Sequence, residues 1–192
     1  MPLRDPTVTA KGSNFIDVMN ALETQFGEEA SRKVLERLPQ ELASALRDNN
    51  VLVTKWYPVA WYAQLHAAVD ATLDGGRNMA RQIGHDATVA DFNGMHRLVG
   101  ALLTVHSVFA QSHRLMGLYW RGGTIERLDL TASSVQLRFQ HWPGFTELMW
   151  EDIMGSLEAL LELCRARYVQ CARIGPTGAS QDGIVIEARW TE

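Results

Sequence analysis

The sequence predicts an α+β domain in which a helical N-terminal half packs on a four-stranded antiparallel sheet made of two hairpins separated by a long helix. Three observations predict it. Apolar residues recur at three- and four-residue steps through most of residues 13–110. They alternate at period two over residues 124–140 and again in "RYVQCARIG" and "GIVIEARW". Helical spacing returns between those two stretches. Layered packing of helices on an antiparallel sheet is how such an element order buries one face of each element.

Residues 1–12 hold two of the six prolines and little periodicity, so they read as a flexible N-terminal arm, with one α+β domain over 13–192. Ser13 or Asn14 can cap a first helix whose Ile16, Met19, Leu22 and Phe26 share a face before Gly27 ends it. Glu28 opens a second helix, which Pro39 breaks because it has no N–H to donate, and Leu42, Ala45 and Leu46 resume the pattern. Pro58 is placed to start the next helix, where Val59, Tyr62, His66, Val69 and Leu73 fall on one side until "DGG". Gly84 reads as a break, followed by a helix from about Phe92 to Ala110 with Phe109 on its buried side.

From Thr124, Val135, Leu137 and Phe139 alternate with Gln136, Arg138 and Gln140 around the turn "TASS", which is a hairpin signature. "PGFTELMWEDIMGSLEALLELCRAR" carries Phe145, Met149, Ile153, Leu157 and Leu161 at helical spacing. "PTGASQDG" is rich in turn residues and joins the strands of the second hairpin.

Composition narrows the function classes. Hydrophobic residues at 46% and charged residues at 21% give enough apolar surface to close a core, unlike the balance of disordered chains. A net charge of −4 gives no general attraction to phosphate backbones or anionic lipid, so neither nucleic acid nor membrane is an expected partner. No apolar run approaches bilayer length and no leader pattern precedes the domain, so the expected location is cytoplasmic. Cys164 and Cys171 match no metal or redox spacing and are expected to be reduced.

Catalytic and metal patterns are incomplete. No two histidines stand four apart with a glutamate between, and His106 and His113, seven apart, have no nearby carboxylate or cysteine to complete a shell. "GASQDG" lacks the glycine-x-serine-x-glycine elbow, and Ser156 reads as a helix serine bonded to its own backbone. Glu151 and Asp152 are adjacent on a helix and read as a solvated face, not as an acid–base pair in unlike environments. No catalytic residue, metal or cofactor is assigned.

Several stretches resemble a known group. "RLP" at 37–39, "WYP" at 56–58, "ARQIGHDATVADFNGMHRLV" at 80–99 and the closing cysteine, glycine and "GIVIEARW" resemble an uncharacterised paralogue family of about two hundred residues from myxobacteria, across nearly the whole chain. The layout is also similar to the superfamily holding the 4-vinyl reductase domain, the haem nitric-oxide-binding domain and a Golgi-tethering subunit. That resemblance implies a sensory or assembly module with a small apolar or aromatic molecule, a haem or an acyl chain between helices and sheet. Haem-binding members carry tyrosine-x-serine-x-arginine, whereas Tyr57, Tyr62, Tyr119 and Tyr168 are followed two residues later by Val59, Gln64, Arg121 and Gln170, so haem is not expected.

The run "WYPVAWY" is the strongest local feature. Four large rings can simply anchor a helix in a core, or they can wall a pocket with a few polar tips. On the second reading the ligand-binding residues are Trp56, Tyr62 and His66, faced by Met95, His96 and Phe109 of the following helix and by Tyr119 and Trp120 before the sheet. The leading expectation is a non-enzymatic sensory or adaptor domain that binds a small apolar or aromatic ligand. The alternative is a pocketless protein-interaction or assembly module, homodimer included, that uses a sheet face bearing Arg127, Arg138, Glu187 and Arg189 beside Trp142 and Trp190. A reductase with a bound cofactor ranks third, because no residue is nominated for its chemistry.

Overall fold

In the computed structural model, residues 7–93, 104–174 and 183–191 are described. Thr9–Lys11 forms β1, and Gly12–Phe26, Glu28–Arg37 and Gln40–Arg47 form α1 to α3. Trp56–Pro58 is β2, Val59–Leu73 is α4 and Gly76–Asn93 is α5. Val105–Ala110 and Ser112–Tyr119 are the short helices α6 and α7, followed by β3 at Trp120–Arg121. The first hairpin is β4, Thr124–Leu130, with β5, Ser134–Gln140, and the long helix α8 spans Glu147–Leu163. The second hairpin is β6, Arg167–Ile174, with β7, Ile184–Thr191.

Both hairpins enter one antiparallel sheet in the order β4-β5-β7-β6, because β5 pairs with β7 from Ser134↔Arg189 to Phe139↔Ile184. Period-two alternation then puts Val135, Leu137 and Phe139 on the same face as Ile186, Ala188 and Trp190, and all six are buried. The architecture is the α+β one expected, with the inter-hairpin helix α8 lying directly on β6 and β7 and α5 packed along α8.

Two glycines explain how closely those helices approach. A Cβ on Gly155 would stand 1.9 Å from the Arg81 carbonyl oxygen, and one on Gly84 would stand 2.2 Å from that of Asp152. No side chain fits there. Gly84 is thus not the helix break expected of it: α5 runs through it unbroken because the missing side chain is needed between helices. Ser156 likewise donates across the crossing to the Gly84 carbonyl at 3.2 Å instead of to its own helix. The helix expected from Phe92 to Ala110 is described only at its ends, in α5 and α6.

The N-terminal arm also differs from expectation. Thr9–Lys11, left in a flexible segment on periodicity, is the central strand of a small sheet ordered β2-β1-β3. Three residues are too few to show an alternation, yet Val8 and Ala10 are almost fully buried, which fixes the strand in place. This sheet ties the start of the chain to the "WYP" segment and to Trp120. Among the described residues, no helix is long and apolar enough to cross a membrane.

Candidate functional site

The aromatic run divides between two duties. Tyr57 stacks on Trp61 with centroids 5.6 Å apart, and its hydroxyl accepts from the Leu52 amide at 2.9 Å. Trp56 carries the Arg121 guanidinium 4.2 Å above its ring. These three brace the small sheet and the entry to α4. Tyr62 is the ring of the run that lines a cavity, and it meets Phe15, His66 and Trp120 edge-on at 5.2, 4.7 and 5.1 Å.

Beyond Tyr62 lies a cavity of about 140 Å³ between the helices and the sheet. Its apolar wall includes Phe92 of α5, Val108 and Phe109 of α6, Leu115 and Met116 of α7, Ile125, Leu137 and Phe139 of the sheet, and Ile153, Leu157 and Leu160 of α8. Trp120 and Tyr119 close one side. Phe109 is held by stacking on Trp190 at 6.0 Å, so the wall is continuous with the sheet core. A cavity of ~150 Å³ with such a lining accommodates a single aromatic ring, which sets the size class of guest.

Its polar lining is acidic and small: Asn14, Asp17, Thr88, Asp91, Ser112, Asp152 and Ser156, together with the two tyrosine hydroxyls. Tyr62 donates to Asp152 Oδ2 at 3.0 Å, and Tyr119 donates to Asp91 Oδ2 at 2.5 Å. Asn14 donates to the Tyr119 carbonyl at 3.2 Å, which fixes the chain as it leaves α7. No lysine, arginine or histidine lines the cavity among the described residues.

Burial changes the titration of this wall. Loss of solvent pushes the Asp152 carboxyl up to about 7, against the Tyr62 hydrogen bond, which favours the ionised form. Asp17 rises to about 7 for the same reason, with the nearby charge of Asp91 adding to it. His66 Nε2 lies 3.8 Å from Asp152 Oδ2, but burial lowers the imidazole to about 4, so the two are not an ion pair at neutral pH. At 1% exposure, His66 Nε2 has no hydrogen-bond partner. Both tyrosine hydroxyls are driven upward, first by burial and then by the carboxylates they contact, and therefore stay protonated donors.

Of the residues nominated from sequence, Tyr62, Phe109, Tyr119 and Trp120 line this cavity together. His66 stands behind the wall, against Asp152, and Trp56 lies on the small sheet away from it. Met95 and His96 lie outside the described residues. Neither residue of the Glu151 and Asp152 pair is on a solvated face: Asp152 is 4% exposed, and the Glu151 side chain, 13% exposed, pairs with Arg81 of α5 at 2.9 Å. Spacing could have found it, since Asp152 follows Met149 by three and precedes Ser156 by four, on the buried side of α8. Asp17 and Asp91 had no such local signal: each is one polar residue on a long amphipathic helix.

The outward sheet face is also sorted differently. Arg138, Glu187 and Arg189 share it, but Arg127 is paired with Leu137 in the register and falls on the other side. Trp190 is buried, and Trp142 packs with Trp120, Phe145 and Trp150 while donating to the Thr124 carbonyl.

No family model matches the chain, and no curated protein matches it in sequence. Solved structures do. An Fe(II) unliganded H-NOX protein from K. algicida superposes with a TM-score of 0.71 at 14% identity, covering 95% of this chain and 97% of that one. An S. oneidensis H-NOX protein in its Fe(II)NO state gives 0.71 at 14% identity, with 95% and 99% covered. An oxygen-binding H-NOX domain related to soluble guanylate cyclases gives 0.67 at 8% identity, with 95% of each chain covered. The chain therefore shares its fold with H-NOX proteins over 95% of its length.

The described residues do not fit a haem. Among the described residues the cavity wall offers no histidine or cysteine as an iron ligand, and Tyr62 and Tyr119 are committed as donors to carboxylates. Propionates would meet Asp17, Asp91 and Asp152 in place of cations. The volume suits one ring and not a macrocycle.

Proposed function

We propose that this chain is a non-enzymatic sensory or adaptor domain that binds a small apolar or aromatic ligand between its helical layer and its sheet. One observation carries the reading: a cavity of about 140 Å³ whose wall is mainly aliphatic and aromatic, with a few polar groups among it. Similarity of fold to H-NOX proteins, among them one with bound oxygen and one in an Fe(II)NO state, supports a sensing role built on the same layers. Acid–base chemistry has less support, because Tyr62 and Tyr119 are each bound to a carboxylate and, among the described residues, no nucleophile is activated by a neighbouring base.

Thermal-shift screening of the purified chain against a panel of single-ring apolar and aromatic compounds, with native mass spectrometry for co-purifying molecules, tests the reading. A ligand present at 100 times its dissociation constant adds about 2.7 kcal/mol to stability, well above detection. A co-purified small molecule or a clear stabilisation is expected. The absence of both, or a Soret band in the purified protein, refutes this assignment.

The assembly-module reading has weaker support. Arg138 pairs with Glu126 at 3.0 Å, Arg189 with Glu187 at 2.8 Å, and Gln136 donates to Glu187 at 3.0 Å. The side chains that would dock a partner on that face are already engaged with one another.

A further inference from the structure

We infer that the cavity selects its guest by charge: a small aromatic or apolar amine in its cationic form, with the ammonium against the Asp17 carboxylate and the body against Phe109, Trp120 and Phe139. The inference rests on the ligand-binding reading above and specifies the class of ligand.

Three carboxyl groups line a cavity that presents no basic side chain among the described residues. Two of them already accept from a hydroxyl, Asp91 from Tyr119 and Asp152 from Tyr62. Asp17 on α1 receives no hydrogen bond from any described side chain or amide, although it faces the cavity and is largely withdrawn from solvent. The charge of Asp91 acts on Asp17, and that of Asp17 on Tyr62 and Tyr119, which line the same cavity. A carboxylate has about four acceptor sites, and leaving them empty in a poorly solvated place costs free energy.

His66 stands behind the wall at 3.8 Å from Asp152 and does not reach the cavity, and Asp152 already accepts from Tyr62, so the carboxylate left for a guest is that of Asp17. An anion meets carboxyl groups and no cation among the described residues, and a neutral ring leaves Asp17 unpaired. An organic cation satisfies Asp17 and gains further from the faces of the aromatic rings. A metal ion does not, because among the described residues no three His, Cys, Asp or Glu side chains gather to hold one.

Isothermal titration of the full chain with benzylamine, benzyl alcohol and benzoate, probes of one size and three charges, tests the inference. Benzylamine is expected to bind at least tenfold tighter than benzyl alcohol, with benzoate weakest. In Asp17→Asn that preference should fall at least fivefold while the alcohol still binds, and raised salt should weaken the amine alone. The wild-type series decides even if the variant fails to fold. Benzyl alcohol or benzoate binding as tightly as benzylamine, or an unchanged preference in Asp17→Asn, overturns selection by charge and leaves the ligand-binding reading standing. Binding by none of the three overturns that reading as well.

Discussion

Replacing Asp152 by Asn removes one titrating group from the buried end of the cavity while keeping its shape. Burial raises the Asp152 carboxyl from 3.8 to about 7 and lowers His66 from 6.5 to about 4, and the two shifts oppose each other in stability. Between pH 4 and 7 the folded chain keeps a proton on Asp152 that the unfolded chain releases. Rising pH therefore destabilises, by about 1.4 kcal/mol per unit and about 4 kcal/mol in all. Between pH 4 and 6.5 the unfolded chain holds a proton on His66 that the folded chain lacks, so rising pH restores about 3 kcal/mol. In the wild type these slopes nearly cancel. Asp152→Asn should expose the histidine slope, gaining about 4 kcal/mol relative to wild type from pH 4 to 7. His66→Leu should do the reverse, losing about 3 kcal/mol relative to wild type from pH 4 to 6.5. Asp17 is present in all three proteins and drops out of the differences. Urea unfolding followed by tryptophan fluorescence at pH 4.5, 5.5, 6.5 and 7.5 measures both. A difference between Asp152→Asn and wild type that stays flat across this range would falsify the assignment of Asp152 as a buried, proton-retaining carboxyl.

Other variants probe the packing and the wall. Gly155→Ala should destabilise by about 1–3 kcal/mol, because overlap with the Arg81 carbonyl outweighs the ~1 kcal/mol that alanine gains over glycine in a helix; a more stable variant would contradict the close crossing. Ala87→Phe places a ring in the cavity from α5, so ligand-induced thermal shifts should vanish while the circular dichroism spectrum is kept. Tyr168 is 85% exposed at a backbone φ of 50° beside a register shift in β6, so Tyr168→Gly should raise stability by about 1 kcal/mol in chemical denaturation.

The parts of the fold that sequence reveals are those with a period. Val135, Leu137 and Phe139 mark β5 by alternation alone, and Met149, Ile153 and Leu157 mark α8, because burial of one face imposes both patterns. The small sheet is invisible by the same rule: β1 and β2 have three residues each and β3 two. Gly84 shows the limit of reading residues singly, since the same absent side chain that weakens an isolated helix permits the α5–α8 crossing. The cavity wall is legible where large aromatics mark it, at Tyr62, Tyr119 and Trp120. Spacing marks Asp152 only as a buried position of α8, and Asp17 and Asp91 carry no local signal; the pairs Tyr119 with Asp91 and Tyr62 with Asp152 join residues 28 and 90 apart.

The central claim is that space for a guest exists between the helices and the sheet. A crystal of the full chain pressurised with xenon tests it most directly, since an apolar cavity of ~150 Å³ takes up that atom. Anomalous density enclosed by Phe109, Trp120, Leu137 and Leu157 is the result the account predicts. Side chains meeting across that space, with xenon bound elsewhere or nowhere, would contradict it.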